Sequence, residues 1–288
     1  MKSYPRIAAR LHAEPWLILP AKFEEMAQAF SNAVAQKWLP ENAADDPVGP
    51  QKENIWGDKV EGRGHPQIEV SGGLALARVH GVTGRGLSAM DMACGGFDTG
   101  LFREQLRNIA DDPSIKALVI DFDTPGGMAN GNMAVCKDIR AVADSGKKVY
   151  GYTGLMCASA GYFMASACDE FHAHPDAIVG SISTIYSGID SSKAFELRGL
   201  KLELFATGKF KATGMPGKEW TEEERENIWE RIMPIDQEFK GYVFSRRAVP
   251  VEAMEGQWWY AKSAPREITD STNFESLADL LESVYATL

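Results

Sequence analysis

Apolar residues fall along this chain in two rhythms. Between residues 20 and 37, Phe23, Met26, Ala27, Phe30 and Val34 recur at the spacing of one helical stripe, which predicts a helix from Pro20 to Lys37 after a short extended stretch. The next segment, Pro40 to Gly57, is rich in Pro, Asn, Asp and Gly and reads as a linker. From residue 66 onward, strand and helix patterns alternate. Gln67 to His80 reads as a strand pair broken at Gly72 and Gly73, and Phe97 to Ala110 as a helix. Ala117 to Phe122 (ALVIDF) is a continuous apolar run, the mark of a strand buried on both faces. A helix over 131–144, a strand at Lys148 to Thr153, a small-residue helix after Ser159 and a strand at Glu170 to His174 continue the series. Further strands are expected at Ile178 to Tyr186 and Leu202 to Ala206, on either side of a helix at Ser191 to Arg198. Thr221 and the glutamates behind it suit a helix start, predicting a long helix to Arg247 that Pro234 should kink. The alternation predicts an α/β fold, a mainly parallel sheet with flanking helices. Residues 1–60 form the expected N-terminal helical segment and linker, and residues 61–288 the main domain.

Composition acts mainly by exclusion. Over 288 residues, 44% hydrophobic and 24% charged content is ordinary for a globular protein. Lys plus Arg is 30 against 40 Asp plus Glu, a net charge of −10 that argues against sequence-independent nucleic-acid binding. Apolar runs such as Trp16 to Leu19 fall far short of the ~20 residues of a membrane-spanning helix. Cys94, Cys136, Cys157 and Cys168 form no C-x-x-C pair and read as reduced thiols of a cytosolic protein. There is no Walker A loop, no G-x-G-x-x-G fingerprint and no H-E-x-x-H helix, so no cofactor is expected. His172 and His174 share a strand face without a third ligand nearby in sequence. Asp121 and Asp123 read as turn and capping carboxylates, so no metal is expected either.

Two segments carry chemistry. Asp123-Thr124-Pro125-Gly126-Gly127 follows the buried strand and puts exposed backbone N–H groups where open α/β sheets bind ligands. Its readings are an oxyanion hole or an ordinary tight turn. Cys157-Ala158-Ser159-Ala160-Gly161-Tyr162 places a serine at the start of a helix, as an exposed nucleophile or as a helix N-cap. Cys157 lies outside the small-residue turn and reads as packing. The G-x-S-x-G elbow is absent. Gly84 to Gly100, glycine-rich and aperiodic, is expected to line a substrate groove or form a mobile cover.

The order and spacing of these segments resemble the serine peptidase family of signal peptide peptidase A, and more closely its viral branch, the lambda-type head maturation proteases. The similar stretches are IDFDTPGG (120–127), MCASAGYFMASAC (156–168), VGSIST (179–184) and ATGKFKATGMPG (206–217), in a likeness running from about 66 to 255. EPWLILP at 14–20 also looks like the viral branch. The resemblance implies the spiral of ββα units shared with Clp protease subunits and crotonases, often built into rings. It implies Ser159 as nucleophile, Lys211 as general base and Ser181 orienting the lysine. The oxyanion hole would come from backbone N–H groups of Gly126 or Gly127 and of Ala160.

The residues themselves are consistent with a lysine base. No histidine follows His174, where a Ser-His-Asp site would need one. A lysine serves as base only as the neutral amine, so Lys211 should be buried, with Phe205, Phe210 and Met215 as its apolar surround. Lys209, two residues away, is the competing candidate. Ser159 should be exposed in a cleft. The sequence departs from the family at Ala160, where cellular members have glycine, in lacking their apolar anchor, and in the shortened AKSAPREITD stretch (261–270).

The function implied is a serine endopeptidase that processes scaffold, portal or capsid proteins during viral capsid maturation. It would work as a homo-oligomer in the host cytoplasm, inside the assembling procapsid, without nucleic-acid or membrane partners. The alternatives are a cellular peptidase of signal-peptide remnants and, on the same fold, a non-proteolytic crotonase-like acyl-CoA enzyme or assembly factor.

Overall fold

The apolar run from Ala117 to Thr124 lies inside a sheet with a parallel neighbour on each side, where a strand with no polar face has to be. The computed structural model describes residues 14–35, 52–53, 59–60 and 68–288. In chain order, β1 (Trp16–Ile18) and α1 (Pro20–Ala35) come first, then the two-residue strands β2 (Lys52–Glu53) and β3 (Lys59–Val60), paired with each other. The hairpin β4 (Ile68–Ser71) and β5 (Leu74–His80) follows, then β6 (Val82–Gly84), α2 (Ala89–Ala93), β7 (Gly96–Asp98) and α3 (Thr99–Asp111). Next are β8 (Ala117–Thr124), β9 (Gly126–Met128), α4 (Asn132–Asp144), β10 (Lys148–Ala158) and α5 (Ala160–Ala165). The chain continues through β11 (Glu170–Ala173), β12 (Ile178–Gly180), α6 (Ser192–Leu197), α7 (Glu222–Arg247), β13 (Trp258–Tyr260) and α8 (Leu277–Tyr285).

A large sheet has the order β13-β12-β10-β8-β5-β4, with β11 also beside β10, and a small sheet has the order β1-β9-β6-β7. The chain alternates between them. It runs along β5, turns through the short strands β6 and β7 and returns by α3; it then runs along β8, turns through β9 and returns by α4. This is an α/β spiral of ββα units. Each turn sends the carboxyl end of a large-sheet strand toward the small sheet, so the small sheet sits where the strand ends gather.

Phe102, Leu106 and Ile109 of α3, Val135, Ile139 and Val142 of α4, and Phe163 of α5 are buried in one cluster with Leu118, Ile120 and Phe122 of β8. On the other face Leu280 and Val284 of α8 cover Leu76, Val119, Tyr150 and Tyr152. Alternate residues of β8 thus serve two cores, which accounts for its unbroken apolarity.

Several sequence expectations shift. Phe97 belongs to β7, and α3 starts at Thr99 because the Asp98 carboxylate accepts from the N–H groups of Gly100 (2.7 Å) and Leu101 (3.1 Å). The strand at Lys148 extends to Ala158. The strand expected over Ile178 to Tyr186 shrinks to Ile178–Gly180, since Ser181 adopts a positive φ of 56°. Leu202 to Ala206 is no strand but exposed irregular backbone; its alternating apolar residues meet no sheet edge. The long helix continues through Pro234 to Arg247. Gly84 to Gly100 is built into the small sheet as β6, α2 and β7 rather than left as a mobile cover. Of the N-terminal stripe, Phe23, Met26 and Ala27 pack with Trp16, Ile18, Leu87, Met92 and Met128 in a small third core. The side chains of Phe30 and Val34, and most of the expected linker at 40–57, lie outside the described residues.

Candidate active site

Ser159 sits where β10 stops and α5 starts, with φ 54° and ψ −115°. A non-glycine residue in such a sparsely populated region costs on the order of 1–3 kcal/mol, so its surroundings must hold it there. They do: its N–H donates to the Gly180 carbonyl (2.8 Å), and its own carbonyl accepts from the Phe163 N–H (2.8 Å). The pairing of β10 with β8 shifts register between Tyr152 and Met156, which re-aims the end of the strand. The hydroxyl does not cap α5, and Oγ is buried without a hydrogen-bond partner. The N-cap reading therefore falls. So does the expectation of an open cleft, because the residue is only 1% exposed.

The two glycines after Pro125 form β9 and lie against this serine. Gly126 has φ +99°, and a Cβ on it would stand 2.1 Å from the Leu17 carbonyl oxygen, 2.9 Å from Ser159 Cβ and 3.0 Å from the Ala160 nitrogen. Only glycine fits. The Gly126 N–H is already taken by Thr124 Oγ1 (3.1 Å). Gly127 stands opposite Leu17 of β1. The Leu19 N–H donates to Pro125 (2.9 Å) and the Ala129 N–H to Pro15 (3.2 Å). Since hydrogen-bonded and non-bonded pairs alternate in an antiparallel ladder, the Gly127 N–H points at β1. Ala160, first residue of α5, has a backbone N–H with no acceptor inside its helix. Helix and strand come this close because Gly161 has no side chain: a Cβ there would lie 2.4 Å from Thr124 Cγ2.

Ser181 follows the carbonyl that holds Ser159. It is buried, with its own positive φ, and its N–H donates to the Gln257 carbonyl (2.6 Å). Ser159, Ser181, Gly126, Gly127 and Ala160 are thus gathered by β8, β9, β10 and β12.

Lys211 is not among them. It is exposed in a turn and does not hydrogen-bond Ser159. The apolar surround expected for it does not form, since Phe205 is 93% and Met215 43% exposed. The lysines nearest it in sequence are paired: Lys209 with Glu223 (2.7 Å) and Lys218 with Glu224. Glu224, buried at the start of α7, also accepts from the Thr213 hydroxyl (3.1 Å) and the Thr221 N–H (3.0 Å). Burial pushes its carboxyl up, but Lys218, the Thr221 N–H and Thr213 outweigh that and hold it below the ordinary range. Glu224 thereby ties the arm carrying Lys211 to α7. Beside the arm, a cavity of about 480 Å³ is lined by Ile185, Tyr186, Trp220, Ile228, Trp229 and Ile232.

Other candidates hold less chemistry. Cys157 is fully buried, and that burial pushes its thiol well up, as suits packing. His172 is buried beside Glu170 (3.1 Å) with Phe274 edge-on to its ring. His80 pairs with Asp121 (2.9 Å). Among the described residues, no group of three His, Cys, Asp or Glu side chains is arranged to hold a metal ion. Among them, too, no helix is long and apolar enough to cross a membrane. Reasoning from sequence missed the part played by Trp16–Ile18, which covers this site. The only trace was the EPWLILP stretch, whose apolar run from Trp16 to Leu19 carries no periodicity to reveal a partner.

Residues 141–268 match the family profile described as Peptidase family S49. The chain is 25% identical over 258 residues to capsid assembly protease C of Escherichia phage lambda, covering 88% of this chain and 58% of that protein. It is 25% identical over 154 residues to a putative signal peptide peptidase SppA of Enterococcus faecium, covering 54% and 45%. It thus spans less than two thirds of the length of these curated relatives. Among solved structures it is similar to Pseudomonas aeruginosa AtuE, at 13% identity and a TM-score of 0.45 over 77% of this chain and 76% of that one.

Proposed function

We propose, from the match of residues 141–268 to the peptidase family S49 profile, that this chain is a serine endopeptidase with a Ser-Lys dyad. Ser159 is the nucleophile, Lys211 the general base and Ser181 the residue that orients the lysine. One observation carries the reading. A buried, backbone-strained serine hydroxyl without a partner lies beside the Gly126-Gly127 strand and the free N–H of Ala160. Attack by Oγ on a peptide carbonyl creates an oxyanion within reach of those N–H groups, and fixed donors aimed at developing charge are usually the largest single catalytic contribution. Of the two glycines, Gly127 is the better donor, because Thr124 already occupies the Gly126 N–H.

The base comes to the site by assembly. Between residues 206 and 220, Lys209 and Lys218 are ion-paired to carboxylates and Lys211 is not. On the same segment of the chain Ile189 (62%), Leu197 (89%) and Phe205 (93%) are exposed, more apolar surface than an isolated arm should carry. A homo-oligomer that covers this arm would desolvate Lys211 and bring it against Ser159. The substrates are scaffold, portal or capsid proteins processed during viral capsid maturation, inside the procapsid in the bacterial cytoplasm. The likeness to a phage capsid assembly protease supports that choice.

The test is a fluorophosphonate probe with the adduct mapped by mass spectrometry. The expected result is modification of Ser159 in the assembled protein and none in Ser159→Ala. Co-expression with a capsid scaffold protein should yield fragments that the same variant does not produce. A chain that neither labels nor cleaves is no serine hydrolase.

A further inference from the structure

β1 occupies this site as a substrate would. It is not an edge strand of ordinary packing: backbone bonds hold it on both sides. On one side it pairs antiparallel with β9, Trp16 opposite Met128, Leu17 opposite Gly127 and Ile18 opposite Gly126. On the other, the Trp16 N–H donates to the Ile185 carbonyl (2.9 Å) and the Ile185 N–H to the Trp16 carbonyl (2.9 Å). Because Trp16 turns both its polar groups toward Ile185, Leu17 turns both of its own toward the glycines. The Leu17 carbonyl oxygen, Ser159 Cβ and the Ala160 nitrogen lie within 2.1, 2.9 and 3.0 Å of one point, the missing Cβ of Gly126. A backbone carbonyl of the chain itself is therefore seated among the nucleophile and the oxyanion donors.

The side chains follow the same division. Trp16 and Ile18 enter the small core with Phe23 of α1, and Leu17 enters the main core beneath the sheet.

We propose that the channel between β9 and Ile185 is the peptide-binding cleft, that it takes its substrate as an extended strand by β-addition, and that Trp16–Ile18 is an intramolecular occupant that keeps the folded chain latent until it is displaced. This deepens the serine-peptidase reading and rests on it. The substrate would lie antiparallel to β9, with the residue before the scissile bond in the place of Leu17. A site open in only a minor fraction of molecules reacts at a rate reduced by that fraction.

Two measurements test the proposal on the full chain. The first compares fluorophosphonate labelling of Ser159 in the unaltered protein and in Leu17→Pro, which removes the N–H that Leu17 turns to β9. The variant should label about tenfold faster or more, as expected for an open state populated at about 10% or less. A synthetic peptide Glu-Pro-Trp-Leu-Ile-Leu-Pro, copying residues 14–20, should slow the variant again as a competitor. Equal labelling of both proteins, or no protection by the peptide, overturns latency while leaving the hydrolase reading intact. No labelling of either overturns both.

The second measurement needs no variant. Hydrogen exchange is followed at residues 16–18 of the unaltered protein before and after reaction with a peptidyl diphenyl phosphonate. Occupation of the cleft should expel β1 and remove its protection. Protection unchanged in the modified protein shows that β1 and substrate do not share the channel, and overturns the proposal even if Leu17→Pro fails to fold.

Discussion

Ser159 and Lys211 stand in opposite kinds of structure. The serine is held by backbone bonds from β12 and α5, pressed on by Gly126, and placed by a register shift in a strand with neighbours on both sides. The lysine rides on an exposed turn whose fixed points are the Glu224 hydrogen bonds and the Lys209–Glu223 pair at the surface. The difference teaches where each half of the proposed chemistry gets its precision. The nucleophile and oxyanion donors are made by the fold of one chain, strain included. The base is carried on a segment that one chain leaves solvated, whereas a lysine serves as a base only where burial favours its neutral form. Coupling the reactive group to burial, and burial to assembly, would restrict peptide hydrolysis to the assembled state.

The sharpest break in the comparison is Ser159→Ala. Hydrolysis should fall on the order of 10⁵-fold or more, the scale of removing a nucleophile from a cooperating site. The thermal midpoint should hold or rise, since alanine removes an unpaired buried hydroxyl without changing a packing contact. Calorimetry and a peptide assay on the same preparation check both halves; an active variant rejects Ser159.

Next in size come the lysines. Lys211→Arg should be as inactive as Lys211→Ala, because a guanidinium stays protonated at any working pH. Lys209→Ala should keep activity within about threefold, because an exposed ion pair such as Lys209–Glu223 contributes about 1 kcal/mol or less. Steady-state kinetics of the three side by side decide the assignment. If Lys209→Ala is dead and Lys211→Arg cleaves, the wrong lysine has been named.

Gly127→Ala should lower turnover about 10²- to 10³-fold, the scale of losing an oxyanion donor. The added Cβ would lie 1.9 Å from the Thr83 carbonyl oxygen, so β9 must shift away from β6 and carry its N–H groups with it. The expected signature is a loss in kcat larger than any rise in KM. A change confined to KM would make β9 a binding strand only.

These effects bear on what the sequence could say. The large sheet was legible because ALVIDF and its neighbours are buried on both faces, and burial leaves an apolar record at every position. The serine and glycine segments were legible because close approach demands small residues, and Gly126, Ala160 and Gly161 write that demand into the chain. In the arm from 185 to 220 the helix expected at Ser191 to Arg198 is present as Ser192–Leu197, but the strand after it was misread. Leu202, Leu204 and Ala206 alternate as a strand would, yet Leu204 and its neighbour Phe205 are exposed, so the pattern records a surface without a sheet partner. The same error put an apolar pocket around Lys211: Phe205, Phe210 and Met215 are close in sequence but enclose nothing. Burial of Ser159 under β1 was illegible for another reason. Pairing of backbone over more than a hundred residues of separation depends on N–H and C=O groups that every residue shares, and leaves no side-chain signature.

The smallest effect tests the anchor of the arm. Glu224 is buried and accepts from Lys218, Thr213 and Thr221 together, which joins residues 213 and 218 to the first turn of α7. Glu224→Gln keeps the shape and removes the charge. It should cost about 1–2 kcal/mol, between a lost cap and a lost charge-assisted hydrogen bond. The pH dependence fixes the cause. The folded carboxyl titrates below its ordinary range, so the stability it lends is fully present above the unfolded value of about 4.3. That stability is lost as pH falls through the lower, folded value. The difference between wild type and Glu224→Gln in urea should therefore be constant from about pH 6 to 8, and should close below about pH 4. Hydrogen exchange on residues 206–217 should rise in parallel in the variant at neutral pH, while exchange around Ser159 stays unchanged. If the gap persists to pH 3, the carboxylate charge is not what holds the arm. If exchange rises equally at both sites, the two regions are one cooperative unit and the contrast between them fails.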